Sequence, residues 1–271
     1  MGHVDRGMST KAYQTGHIES EPAVISMDIL LVCLFAAGFS GGFVNGLAGF
    51  GTSLFALGWL LQVMPPREAV AIALVCSVAT GVPGVWQVWH SIDLRRLAVF
   101  LVPALFGLPL GLFALELINA RILSLFVGAM LLVYGGYFAF RRNLPAITGR
   151  WLALEAGLGF LGGILGAMAG LSGALPSMWL AMRPWTKGQQ RGILQPFNMV
   201  ILTLATGLLA LDGGFGGQVM YNLALTLPAS AVGAVLGLWL FRKLTNLGYR
   251  RLLIAMMLFS GLSLLLRTLI A

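Results

Sequence analysis

The sequence predicts an all-α integral membrane protein of two inverted-topology repeats, each of about five helical segments, with short or broken helices meeting near the midplane. Three observations predict it. Hydrophobic residues make up 58% of the 271 residues and charged residues 10%, against about 25% charged in a soluble domain; mean hydropathy is +0.90. Apolar runs follow one another along the chain, most of them close to the ~20 residues a helix needs to cross a bilayer. One glycine-rich stretch also occurs twice, half a chain apart.

In order, residues 1–27 carry Asp5, Arg6, Lys11, Glu19 and Glu21 without an apolar core, which reads as a polar tail and not a cleavable signal peptide. Apolar runs then cover 28–49, 50–64, 67–90, 96–117 and 121–140, and a second five cover 150–170, 172–182, 188–211, 217–241 and 249–270. The runs 50–64 and 172–182 are too short to span, and each directly follows one copy of the glycine stretch. The expected organisation is a first transmembrane repeat over 28–141, a linker over 142–149 and a second repeat over 150–271.

The repeat is specific. Shifting by 121 positions places Gly38, Phe39, Gly41, Gly42, Ala48 and Gly49 on Gly159, Phe160, Gly162, Gly163, Ala169 and Gly170. Further on, Val78-Ala79-Thr80-Gly81 echoes Leu204-Ala205-Thr206-Gly207, and Pro103 with Gly107 and Gly111 echoes Pro228 with Gly233 and Gly237. Five segments is an odd number, so the halves enter the membrane from opposite faces, as in many secondary transporters.

Basic residues orient the chain. With each long run crossing once and each short run returning, one face collects Arg95, Arg96, Arg141, Arg142, Arg150, Arg183, Lys187, Arg191, Arg242, Lys243, Arg250 and Arg251, and the other only Arg6, Lys11, Arg67, Arg121 and Arg267. The richer face is expected to be cytoplasmic and both termini periplasmic. Trp59, Trp86, Trp89, Trp151 and Trp239 fall near segment ends as interface anchors.

The two tips, near Gly49-Phe50-Gly51-Thr52 and Gly170-Leu171-Ser172-Gly173, each begin a short helix. The first N–H groups of such a helix lack intrahelical partners, and with the dipole they bind anions without a buried formal charge. Glycine admits a ligand to the backbone, and Thr52, Ser53 and Ser172 add hydroxyls. The expected substrate-binding residues are Asn45, Gly49, Gly51, Thr52, Ser53, Gly170, Ser172, Gly173, Gln195 and Asn198. For Asn45, Gln195 and Asn198 two readings stay open: they hold the ligand, or they satisfy broken backbone at the tips. Arg191 is either an anion attractor at the cytoplasmic mouth or a topology charge. The GxxxG pairs Gly107/Gly111 and Gly233/Gly237 read as packing seams.

Several classes drop out. Gly170-Leu171-Ser172-Gly173 spells the GxSG of an intramembrane serine protease, but such a serine needs a later histidine base and no histidine follows His90, so no enzyme is expected. Cys33 and Cys76 both lie in apolar runs, and with His3, His17 and His90 they form no metal site; no cofactor is expected. The basic residues sit in short loops, which argues against nucleic acid. Few acids lie deep in a span, Glu155 being the deepest candidate. That scarcity favours uncoupled anion movement, driven outward by an inside-negative potential worth about 2.3 kcal/mol per charge at 100 mV.

The runs GGFVNGLAGFGTS…PPREAVAIALV and GAMAGLSGALPSMWL…RGILQPFN resemble the TauE/SafE sulfite-exporter family of membrane permeases over nearly all of 28–270. In the second half Ala174-Leu175-Pro176 and Gln190-Arg191-Gly192-Ile193 depart from the family's usual pattern. The resemblance implies transport of sulfite or a sulfur-containing organic anion across the bacterial inner membrane. The resulting expectation is a secondary transporter exporting a small sulfur oxyanion, one half rocking against the other, with that anion and membrane lipid as partners and a homodimer left open. The alternatives are an importer of a sulfonate or other organic anion, and a non-transporting membrane scaffold.

Overall fold

Residues 27–140, 147–149, 151–185, 187–243 and 246–270 are described by a computed structural model of the protein. The expected polar tail up to residue 26, the basic junction 141–146 and Arg150 lie outside the described residues. Each apolar run becomes a helix. The first half holds α1 (Met27–Ala48), α2 (Thr52–Leu60), α3 (Pro66–Val88), α4 (Leu94–Leu117) and α5 (Ala120–Phe140); the second holds α6 (Leu152–Ala169), α7 (Ala174–Ala181), α8 (Lys187–Leu211), α9 (Gly217–Lys243) and α10 (Asn246–Ile270). No strand occurs among the described residues. By length and composition α1, α3, α4, α5, α6, α8 and α9 are apolar enough to cross a membrane, and α10 carries a shorter apolar stretch, Met257–Ile270. With 9 and 8 residues, α2 and α7 rise only about 14 and 12 Å, under half of the ~30 Å hydrocarbon core.

The boundaries have local causes. Proline occupies the first turn of α3, where its missing N–H costs nothing. Asp93 caps α4, its carboxylate accepting from the N–H groups of Arg95 and Arg96 at 3.1 and 3.2 Å, and Asn119 caps α5 through Ile122 N–H at 2.8 Å. Gly49 and Gly51 at φ 78° and 93° turn the chain out of α1 and into α2, and Gly170 at φ 67° closes α6. These left-handed conformations strain any residue with a β-carbon.

Packing is reciprocal between the halves. Helix α1 lies along α9, α4 along α6, α3 against α8 and α5 against α10. A β-carbon added to Gly38 or Gly42 would collide with the carbonyl oxygens of Thr226 or Ser230, and one added to Gly159 or Gly163 with those of Phe100 or Ala104. Conversely, Gly107 and Gly111 face the carbonyls of Phe160 and Ile164, and Gly233 and Gly237 those of Phe39 and Phe43. The GxxxG pairs are packing seams, as expected. The leading glycines of the duplicated stretch belong to the same seams rather than to a site. In this packing the α4 positions correspond in role to α9 positions 126 residues later, one residue out of step with the two prolines.

The outward surfaces are apolar: Phe106, Val235, Trp86 and Trp239 are all exposed. At one end Arg183, itself buried, pairs with buried Glu155 at 2.5 Å and stacks over Trp179, while Arg96 stacks over Trp185. At the other end Arg67 binds Asp212 across the halves and Glu116 within its own.

Candidate functional site

The tips of the two short hairpins meet inside the bundle. Ser53, in the first turn of α2, sits against Gly170 so closely that a β-carbon there would overlap its hydroxyl. Tyr134 of α5 ties the tips together: its ring lies 5.8 Å from Phe50 and its hydroxyl donates to Ala174 C=O at 2.7 Å. Helix α2 is buried along nearly its whole length, Trp59 being its exposed end.

Between the tips is a cavity, about 490 Å³ of space outside protein atoms including some open to solvent. Its enclosed part has room for a few waters or one small oxyanion. Asn45, Gly49, Gly51 and Thr52 line it from the first tip, Gly170, Ser172 and Gly173 from the second, and Gln195 and Asn198 from α8. Ser53 is the expected residue it leaves out; its hydroxyl turns to Ser77 at 3.3 Å. Ser77 and Gly81 of α3 join the lining.

The polar groups are not equivalent. Ser172 donates to Asn198 Oδ1 at 2.9 Å, and Gly173 is glycine because the Asn198 amide occupies the place of a β-carbon. Asn45 Nδ2 donates to Thr80 at 2.6 Å, and Gln195 Nε2 donates to Gly81 C=O at 3.2 Å. These amides therefore do satisfy neighbouring groups, while still facing the cavity. Thr52 differs. Its hydroxyl is buried, lines the cavity and has no partner among the described residues, at the first residue of α2, whose N-cap Gly51 supplies no side-chain cap.

Charge enters from one side. None of the lining residues is charged, but a β-carbon at Gly49 would lie 3.0 Å from Arg191 Nε and Nη2 and from Gln195 Oε1. The guanidinium thus reaches the first tip instead of ending at a distant mouth. Glu155, tied to Arg183 and accepting from Trp179 Nε1 at 3.2 Å, is outside the lining.

The sequence model described as "Sulfite exporter TauE/SafE" matches residues 34–264. The chain belongs to that family. No curated protein and no solved structure matches it. Membership in the TauE/SafE family makes the protein a membrane transporter of the sulfite-exporter type, and every residue of the cavity falls inside the TauE/SafE match. Ser77, Gly81 and Tyr134 were not expected at the site. Ser77 and Gly81 had a signal, since they flank the echoed Val78-Ala79-Thr80 run; Tyr134 had only its phenol inside an apolar helix.

Proposed function

We propose that the protein exports sulfite across the bacterial inner membrane, binding it in the cavity between the two tips. The observation that carries this is the unpartnered Thr52 hydroxyl, buried in the cavity at the start of α2. That hydroxyl is not used by the protein among the described residues and faces the cavity, so its partner is what the cavity holds, water or the ligand that displaces it. The N–H groups opening α2 and the nearby Arg191 make that ligand an anion. The cavity's small free volume favours sulfite over a larger organosulfonate. Arg191 draws the anion to the first tip, and Gln195, Asn198, Ser172 and Asn45 surround it.

Reciprocal packing of α1 on α9 and α4 on α6 supports inverted repeats. The basic residues support a cytoplasmic face at the Arg96–Arg183 end and periplasmic termini. The test is flux of labelled sulfite in proteoliposomes with the membrane potential clamped at either sign. Outward flux that scales with potential is expected. No flux at either sign overturns the substrate, flux driven only inward makes the protein an importer, and flux that needs a pH gradient overturns uncoupled movement.

A further inference from the structure

The cavity needs a route to the far side, and the two halves differ in what they offer. Counterpart positions, 126 residues apart, set Phe100 and Ala104 of α4 against Thr226 and Ser230 of α9. Both pairs present carbonyl oxygens to the glycines of a neighbouring helix, so the seam uses backbone alone and does not call for hydroxyls. On α4 the position is filled by an aromatic plug, Phe100 meeting Phe197 of α8 edge-on at 6.4 Å. On α9 the same place is small and polar.

The polar side chains continue along one face of α9. Gln218, Asn222, Thr226 and Ser230 recur every four residues, and the last three are 3%, 0% and 0% exposed, while Tyr221, Val232 and Val235 face outward. From Gln218 to Ser230 the row descends about 18 Å, starting at the end where Asp212 meets Arg67. Gln218 donates to Asn222 Oδ1 at 3.3 Å, and Thr226 donates back to Asn222 C=O at 2.7 Å. Ser230, at the bottom, is fully buried, and its hydroxyl meets the Cys76 thiol. Thr80, one turn further along α3, donates to Cys76 C=O at 2.6 Å and accepts from Asn45, which lines the cavity.

We propose that this α9 row, with Cys76 and Thr80 of α3, forms the polar wall of the route between the cavity and the Arg67–Asp212 face, while the equivalent route along α4 is closed by Phe100 and Phe197. The proposal rests on the transporter reading above. Polar groups buried in a membrane helix are costly and mark substrate paths, and the hydroxyls of Thr226 and Ser230 can turn to water or anion when the route opens.

The test is thiol accessibility in a Cys33→Ser, Cys76→Ala background, with Asn222→Cys, Thr226→Cys and Ser230→Cys made singly and Phe100→Cys and Ala104→Cys as counterparts. A membrane-impermeant methanethiosulfonate is added to vesicles, from the Arg67–Asp212 face for the α9 thiols and from the Arg96–Arg183 face for their α4 counterparts, without sulfite and with the potential clamped at either sign. The α9 thiols are expected to react an order of magnitude faster than the α4 thiols. Native Cys76, tested in Cys33→Ser alone, should react from the Arg67–Asp212 face, so a misfolded α9 variant does not decide the matter. Equal rates, or no reaction at any α9 position and Cys76, overturn the proposal. Sulfite flux in the unlabelled protein separates the two readings: reactive α9 thiols without flux leave the route standing and sink the substrate, and flux with unreactive thiols does the reverse.

Discussion

Replacing Thr52 by valine separates stability from binding. The side chain is 2% exposed and its hydroxyl has no partner among the described residues, facing only the cavity. Valine has nearly the same shape and gives up only a contact with cavity water, so the ligand-free protein should unfold within about 1 kcal/mol of wild type. With the anion bound the loss is larger. A hydrogen bond to a charged group contributes about 1.5–3 kcal/mol, so sulfite affinity should fall about 10- to 150-fold. The assay is thermal unfolding of purified protein across a sulfite titration, for wild type and Thr52→Val. The variant should unfold close to the wild-type temperature without sulfite and need far more sulfite for an equal rise. An apo variant that unfolds well below wild type would mean the hydroxyl already has a structural partner. Unchanged affinity would mean that the anion does not touch it. Either result refutes the argument.

Three further outcomes follow from the packing and the charges. Gly42→Ala and Gly163→Ala each put a β-carbon onto a backbone carbonyl and should both abolish the folded protein in detergent, whereas Gly207→Ala, with nothing within 4 Å, should be tolerated and stabilise α8 by about 0.5–1 kcal/mol in unfolding assays. Glu155→Gln strands the buried Arg183 charge and should destabilise by about 3–5 kcal/mol, while leaving the pH dependence of flux per folded molecule unchanged. Arg191→Gln should weaken sulfite affinity and flatten the dependence of uptake rate on ionic strength; a variant as salt-sensitive as wild type would remove Arg191 from the anion's path.

Much of this was legible because the bilayer leaves few choices. Apolar runs had to become helices, and the two too short to span had to end inside. The tips were legible because a left-handed turn followed by a short helix uses glycine at fixed places, as Gly49, Gly51 and Gly170 show. What stayed hidden depends on distance in three dimensions. Nothing in the pattern around Gly38 or Gly159 separates a glycine that admits a ligand from one that admits a carbonyl. Ser53 and Thr52 are adjacent hydroxyls in one motif, yet one faces Ser77 and the other the cavity. For Arg191 the pattern leaves open an anion attractor at the mouth or a topology charge, because position is counted along the helix, while its long side chain reaches back to Gly49.

The seams also bear on how the site changes sides. Rocking one sequence half against the other would slide α1 past α9 and α4 past α6, where glycine and carbonyl interlock at backbone contact. Such seams do not deform continuously, because each step would lift a β-carbon-free surface off the one carbonyl row that fits it. The seams therefore predict mixed mechanical units, α1 moving with α9 and α4 with α6. The tips then sit at the joint between units. The tip after α1 carries Thr52 and Ser53, the tip after α6 carries Gly170 and Ser172, and they meet at the Ser53–Gly170 contact beside the cavity. Relative motion of the mixed units would open that contact on one side of the bound anion and close it on the other. The duplicated sequence thus repeats the parts of the transporter, and the glycines on its helix faces decide which parts move together.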